Sequence, residues 1–147
     1  MLRVVLDTNV FVSSLLTKRG AAAEVLDAWR ERRYLLITSP AIIEEIRRVL
    51  RYPRIQRKYA ITDEDIAGII ELLNVEAVVV PGETERVAGA IPEDPADEAI
   101  LACAVDGLAD CIVSGDQHLL ALEDFQGIPV WTVRVFLDHL SAQRETD

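Results

Sequence analysis

Residues 1–16, MLRVVLDTNVFVSSLL, determine how the rest of the sequence is interpreted. Residues 2–6 form an apolar run, interrupted by Arg3, that predicts a short buried strand. The run ends at Asp7, and apolar residues return with helical spacing over about 9–17. A buried strand has no structural need for a carboxylate at its end. The position of Asp7 therefore indicates either a functional group or the cap of the next helix.

Strands and helices alternate along the rest of the chain. Further strands are predicted at about 35–38, 75–80, 111–113 and 130–132, and helices at about 21–32, 40–50, 62–73, 95–106, just after 116, and 133–139. Residues 52–59 are predicted to form a loop or a short irregular helix, because Pro53 blocks a continuous one. The alternation predicts an α/β fold: a three-layer α/β/α sandwich with a central, mainly parallel sheet of four to five strands. We expect residues 1–147 to form a single domain.

The composition favours a compact protein of the cytoplasm. No apolar run reaches the roughly 18 residues that a membrane span needs, and the N-terminal residues lack the pattern of a secretory signal. The two cysteines, Cys103 and Cys111, lie in apolar stretches and fit no zinc or redox motif. We expect both to be small buried hydrophobic residues.

The net charge of −10 conceals two regions of opposite sign. Residues 1–59 hold 12 of the 15 lysines and arginines but 6 of the 25 acidic residues. The basic side chains concentrate near the end of this half, at Arg47, Arg48, Arg51, Arg54, Arg57 and Lys58. Such a cluster can bind the phosphates of RNA, or it can be a solvated helix face or a protein-binding surface. The alternatives remain open from the sequence.

Four carboxylates are predicted to meet beyond the carboxyl ends of the parallel strands, where α/β sheets gather functional groups. Asp7 and Asp116 follow strands, Glu45 lies in the helix after the second strand, and Asp97 begins a later helix. Crowded carboxylates repel one another unless a cation neutralises them. A hard ion such as Mg²⁺ prefers oxygen ligands, and a pair of ions can stabilise both oxygens in a phosphodiester displacement.

Each of these acidic residues also has a simpler interpretation. Asp7 and Asp116 can act as helix caps, and Asp97 can stabilise a helix dipole. Glu45 can be solvated, with its neighbour Glu44 able to take any role assigned to it. His118 is interpreted as a solvated histidine in the first turn of a helix rather than as a substrate contact.

Four motifs together resemble the PIN-domain family, in particular its VapC-like toxin branch: LDTNVFVSSLL, SPAIIEEIRRVL, DPADEAILACAV and IVSGDQHLL. The resemblance implies a ribonuclease that depends on Mg²⁺ or Mn²⁺ and forms the toxin component of a toxin–antitoxin pair. It implies a homodimer with a small antitoxin partner. It assigns the catalytic and metal-binding roles to Asp7, Glu45, Asp97 and Asp116, and supporting roles to Asn9, Asp94 and Ser114.

Other functions remain to be weighed against this one. The serious alternative is a catalytically weak PIN-like module that binds RNA or protein without cutting. A dinucleotide-binding module is disfavoured because G-x-G-x-x-G is absent after the first strand. A haloacid-dehalogenase-type phosphatase is disfavoured because Asn9 stands where its second aspartate is needed.

Overall fold

The computed structural model describes residues 1–83 and 95–146. In these ranges the strands are β1 (Arg3–Leu6), β2 (Leu35–Thr38), β3 (Val78–Val79), β4 (Cys111–Val113), β5 (Asp124–Phe125) and β6 (Ile128–Trp131). The helices are α1 (Thr8–Leu16), α2 (Ala21–Arg30), α3 (Pro40–Leu50), α4 (Pro53–Tyr59), α5 (Asp63–Glu76), α6 (Pro95–Asp106), α7 (Gln117–Ala121) and α8 (Val133–Thr146).

The strands form one mostly parallel sheet in the order β3-β2-β1-β4-β6-β5. Between the strands of the described ranges, only the pairing of β5 with β6 is antiparallel. The strand order reverses after β3, because the chain returns to the far side of β1 to form β4. Helix α6 packs against β1, β2 and β4, and the right-handed crossovers that are the rule in parallel sheets would put it on the face opposite α1–α5. The predicted α/β fold with a mainly parallel central sheet is confirmed, but the sheet has six strands rather than four to five, because the short β5 was not predicted.

Several predicted helix boundaries follow from identifiable capping residues. The Ser39 Oγ accepts a hydrogen bond from the N–H of Ile42 at 3.4 Å and caps α3. Thr62 and Asp65 form a reciprocal capping box at the start of α5. Pro53 occupies the first turn of α4, so this proline starts a regular helix where the sequence predicted a loop or an irregular one.

Two predicted strands differ in extent from the observed ones. The strand predicted at 75–80 is limited to Val78–Val79, because α5 continues to Glu76. The strand predicted at 130–132 begins earlier and belongs to a hairpin with β5, which the sequence analysis missed. The hairpin turns through Gln126 and Gly127, which have φ of 52° and 87°, and β5 is only two residues long. The terminal helix continues past 139 to Thr146.

The core lies between the central strands and the helices on either side. Val4, Val5 and Ile112 in the strands and Leu101 in α6 are fully buried. The last turn of α6 approaches β2 so closely that a Cβ at Gly107 would lie 2.4 Å from the Ile37 Cγ2. A glycine there lets α6 pack directly on the sheet, which fixes the position of the whole helix.

Both cysteines are buried, as predicted, and both are free. Burial raises the pKa of the Cys103 thiol and of the Cys111 thiol to about 12 each. These thiols therefore remain protonated at neutral pH and act as small apolar side chains. Over the residues that the structure describes, no helix is long and apolar enough to cross a membrane.

Candidate metal centre

The carboxyl ends of β1 and β4 meet at the point where the strand order reverses. Asp7 follows β1 directly, and its backbone N–H donates to the Val113 carbonyl at 2.9 Å, extending the pairing of the two strands. Ser114 follows β4. In open α/β sheets this reversal leaves a crevice between the flanking loops, where ligands bind. The fold thus places Asp7 and Ser114 side by side in the crevice.

Ser114 joins Asp7 to Asp116 by hydrogen bonds. Its Oγ donates to the Asp7 Oδ2 at 2.7 Å and accepts from the backbone N–H of Asp116 at 2.9 Å. The serine is only 1% exposed, so its rotamer is held by packing as well as by these bonds. Asp7 and the start of the Asp116 loop are therefore held in a fixed relation before any ligand arrives.

Asp7 carries an unfavourable charge in this environment. The side chain is buried, and burial is the largest cause that raises the pKa of its carboxyl above the ordinary value. The Ser114 hydrogen bond and the amides of Thr8 and Asn9 lower the pKa, while the nearby Asp116 carboxylate raises it further. The net shift is upward. A cation beside Asp7 would offset this cost, because opposite charge favours the ionised form.

A second group of ligating atoms lies next to this pair. Asp97, Asp116 and His118 each offer one atom, and these three atoms lie within 4.8 Å of one another. Asp97 is buried in the first turn of α6. The Asp116 Oδ1 accepts from the N–H groups of His118 and Leu119 at 2.8 and 3.2 Å, which caps α7 and orients the carboxylate. We call Asp7, Asp97, Asp116 and Ser114 the carboxylate site.

The residues of the carboxylate site fit a divalent metal ion. Asp97 and Asp116 supply the oxygen ligands that Mg²⁺ and Mn²⁺ prefer. Asp7 lies close enough to Asp116 for the two charges to interact. Ser114 supplies the hydrogen bond that commonly orients a carboxylate ligand from behind. The donor set and its supporting hydrogen bond are thus of the kind that holds a hard divalent ion.

Glu45 has a different partner in the structure. Its half-buried carboxylate forms a salt bridge with Arg48 on the same helix, with Oε1 2.5 Å from the Arg48 Nη2. The Arg48 Nε also donates to Oε2 at 3.0 Å. Both oxygens therefore accept from a guanidinium, and within the described residues Glu45 is not part of the group of ligating atoms formed by Asp97, Asp116 and His118. Glu44 is paired in turn with Arg47 at 2.6 Å.

The remaining predicted supporting residues lie in two places. Asn9 is exposed and lines a cleft of about 650 Å³ together with Ser13, Asp116 and His118. This cleft borders the carboxylate site from the side of α1 and α7. Asp94 lies outside the residues that the structure describes.

The basic side chains of residues 47–58, which we call the arginine segment, extend from the second half of α3 through α4. Arg51, Arg54, Arg57 and Lys58 are exposed. Arg48 donates to the Tyr52 hydroxyl at 2.9 Å and lies 5.7 Å from the centre of its ring. The pairs of Arg47 and Arg48 with glutamates of their own helix reduce the net positive charge at the start of the segment.

His118 was interpreted from the sequence as a solvated residue, and the structure adds a close approach of its ring to Asp116. Its side chain is 58% exposed, in agreement with a solvated first-turn histidine, yet its Nδ1 lies 3.8 Å from the Asp116 Oδ1. The sequence signal for this proximity was the two-residue spacing of Asp116 and His118 in GDQH. Because Asp116 caps α7, a residue two positions later lies on the first turn and faces the cap.

Comparisons with known proteins bear on this site. A family model described as PIN domain matches residues 3–118. The chain is 30% identical to the uncharacterized protein MJ1680 of Methanocaldococcus jannaschii over 123 residues. This match covers 84% of the present chain and 76% of MJ1680.

Three solved structures share the fold. VapBC2 from Rickettsia felis, bound to a DNA fragment from their promoter, has a TM-score of 0.59 at 10% identity and covers 89% of this chain and 98% of that one. FitAcB from Neisseria gonorrhoeae has a TM-score of 0.54 at 16% identity, with coverage of 89% and 98%. PAE2754 from Pyrobaculum aerophilum has a TM-score of 0.60 at 18% identity, with coverage of 96% and 90%.

Proposed function

This chain belongs to the PIN-domain family, and from that premise we propose that it is a divalent-metal-dependent ribonuclease. PIN domains are generally nucleases that use divalent metals. The observation that carries the proposal is the hydrogen-bonded connection from Asp7 through Ser114 to Asp116, beside the buried Asp97. We further propose that residues 1–147 act as a single domain.

The catalytic roles follow from the positions of the carboxylates. Asp97 and Asp116 would hold a Mg²⁺ or Mn²⁺ ion, and Asp7, fixed by Ser114, would add its negative charge to the site. When bound, such an ion supplies Lewis-acid chemistry that offsets the charge developing on a phosphodiester. Glu45 completes the site after its carboxylate leaves Arg48, and Asn9 contacts substrate from the adjoining cleft.

The arginine segment is the proposed binding surface for the RNA backbone. Its exposed guanidinium groups can each contact a phosphate, and Tyr52 or Tyr59 can stack on a base. The segment begins on α3, which packs against α6, the helix that carries Asp97, so RNA bound along the segment would extend toward the carboxylate site. Because the rest of the chain is acidic, the segment concentrates RNA where the net charge would otherwise repel it.

We also propose that the protein is the toxin component of a toxin–antitoxin pair and forms a homodimer in the cytoplasm. The resemblance to the VapC-like branch implies a small antitoxin partner. The structures of VapBC2 and FitAcB share this fold. Co-expression with the product of an adjacent gene, followed by size-exclusion chromatography with light scattering, measures both assemblies.

The test is cleavage of single-stranded RNA in Mn²⁺ by the wild type and by Asp7→Asn and Asp116→Asn. Each substitution removes one charge with little change of shape, and we expect each to reduce the rate about 100-fold. Asp110→Asn is the matched control, because that carboxylate accepts from the Arg3 N–H at 2.7 Å at the opposite end of β4.

Two results would contradict the proposal in different ways. Near-normal cleavage by both variants would remove the carboxylate site from the mechanism. No cleavage by the wild type, together with salt-dependent RNA binding, would favour the alternative of a catalytically weak binding module.

A further inference from the structure

We propose that His118 is a nitrogen ligand of the metal ion at the carboxylate site and makes that site selective for Mn²⁺ over Mg²⁺. The inference rests on the proposed function, because it assumes that Asp97 and Asp116 bind the ion. It begins from the cluster of three ligating atoms that Asp97, Asp116 and His118 place within 4.8 Å of one another.

The position of His118 is compatible with a shared ion. Two atoms that bind one ion at about 2.1 Å are at most about 4.2 Å apart. The His118 Nδ1 and the Asp116 Oδ1 are 3.8 Å apart, which lies inside this limit. The backbone N–H of His118 donates to the Asp116 Oδ1 at 2.8 Å, so the start of α7 holds both side chains on one side of the turn.

The surroundings of His118 leave its ring accessible. It lines the cleft of about 650 Å³ beside Asn9 and Asp116, and its side chain is 58% exposed. His139 provides a contrast, because its ring stacks on Trp131 with centroids 4.0 Å apart and an interplanar angle of 10°. His139 is therefore occupied in packing, whereas His118 faces the cleft next to the carboxylates.

An imidazole ligand changes which ion the site prefers. Mg²⁺ favours oxygen ligands and gives up its water reluctantly, so a nitrogen ligand adds little to its binding. Imidazole is a ligand for first-row transition metals, and Mn²⁺, although it prefers oxygen, belongs to this series and accepts a nitrogen ligand more readily than Mg²⁺ does. With His118 present, the site has two carboxylates and one nitrogen, and its affinity for Mn²⁺ rises relative to its affinity for Mg²⁺.

The experiment measures metal binding without RNA. Isothermal titration calorimetry with Mn²⁺ and with Mg²⁺ is carried out on the wild type, His118→Gln and the matched control His139→Gln. We expect His118→Gln to weaken Mn²⁺ binding about 10-fold and to leave Mg²⁺ binding within about twofold. His139→Gln is expected to match the wild type for both ions.

Electron spin-echo spectroscopy of the Mn²⁺-loaded protein gives a second readout, because a directly bound imidazole produces ¹⁴N modulation. The modulation is expected in the wild type and in His139→Gln but not in His118→Gln. Its absence from the wild type, or equal Mn²⁺ affinity in His118→Gln and the wild type, would overturn the assignment of His118.

Failure of the proposed function has a different signature. If Asp116→Asn abolishes Mn²⁺ binding while His118→Gln does not change it, the carboxylate site stands and the role of His118 is wrong. If the wild type binds no Mn²⁺, or if Asp116→Asn binds it normally, the metal centre itself is wrong.

Discussion

The carboxylate site and the arginine segment carry opposite charges in opposite environments. Asp7 and Asp97 are buried at strand and helix ends, and Ser114 fixes Asp7 by a 2.7 Å hydrogen bond. The basic side chains of the arginine segment are largely exposed, and its first two arginines pair with glutamates of their own helix. The side chains of the first region are held by burial and hydrogen bonds, whereas those of the second are exposed and partly neutralised by neighbouring glutamates.

This difference indicates which property of the protein each region controls. Buried like charges cost free energy that a cation can recover, so changes at the carboxylate site alter chemistry and stability together. Exposed arginines interact through water and salt, so changes there alter affinity for a polyanion with little effect on the fold. Four variants test the contrast.

The largest effect is expected from Asp97→Asn. Loss of a buried metal-binding charge should reduce RNA cleavage in Mn²⁺ about 100-fold or more while preserving the fold. Cleavage rates under single-turnover conditions measure the loss. Glu98→Gln, in the same turn of α6, is the control and should retain activity within about threefold. An equal loss in both variants would assign the effect to the helix terminus rather than to Asp97.

Ser114→Ala tests whether the carboxylate site depends on its hydrogen-bonded support. The substitution removes the donor to Asp7 and the acceptor of the Asp116 N–H, so we expect Mn²⁺ affinity to fall about 10-fold. Ser14→Ala is the control, because the buried Ser14 hydroxyl donates to the Phe11 carbonyl of its own helix. Calorimetric titration of both variants measures the difference. Unchanged Mn²⁺ affinity in Ser114→Ala would show that Asp7 needs no such support.

Substitutions in the arginine segment should have a smaller effect, on RNA affinity, and this effect should depend on the salt concentration. Reversing Arg51 and Arg54 to glutamate is expected to weaken binding of single-stranded RNA about 10-fold and to reduce the salt slope by about 2. Fluorescence anisotropy in the Asp116→Asn background measures affinity without cleavage. The control reverses Lys18 and Arg19, which are also exposed and give the same change in net charge. Equal losses of RNA affinity in both double variants would show that binding depends on net charge alone and not on the position of the arginine segment.

The same contrast explains what the sequence could reveal about the fold. Strands that are buried on both faces, such as β1 and β4, appear as short apolar runs, and capping residues such as Ser39 and Thr62 mark helix starts by their chemistry. The β5–β6 hairpin was missed because β5 has two residues and Gln126, a non-glycine residue, adopts positive φ in its turn. Nothing in local periodicity indicates a strand so short.

The candidate site was predictable in its backbone placement but not in its side-chain pairing. Strand ends in a parallel sheet must share an edge, so the proximity of Asp7 and Asp116 follows from the order of the elements. The pairing of Glu45 with Arg48 depends on rotamers of two long side chains, which spacing alone does not determine. The approach of His118 to Asp116 depends likewise on how tightly the cap of α7 closes.

The smallest effect is on stability, and it tests whether Asp7 is destabilising without metal. Burial raises its pKa, so between the unfolded value of 3.8 and the folded one the native state binds more protons than the unfolded state. The free energy of unfolding therefore falls as pH rises through this window, and above it the native state holds a costly buried charge. Asp7→Asn removes that charge and keeps an acceptor for the Ser114 hydroxyl.

In EDTA at pH 7 we therefore expect Asp7→Asn to melt about 2–4 °C above the wild type, and the difference to vanish as pH falls toward 4. The exposed Asp27→Asn is the control and should not shift the melting temperature. Adding Mn²⁺ should reverse the order, because the ion stabilises the wild-type carboxylate and gains little from an amide. If Asp7→Asn melts below the wild type in EDTA at pH 7, then Ser114 and the neighbouring amides already compensate the buried charge. The charge of Asp7 would then be compensated by its own hydrogen bonds, just as the charges of Arg47 and Arg48 are compensated by glutamates of their helix.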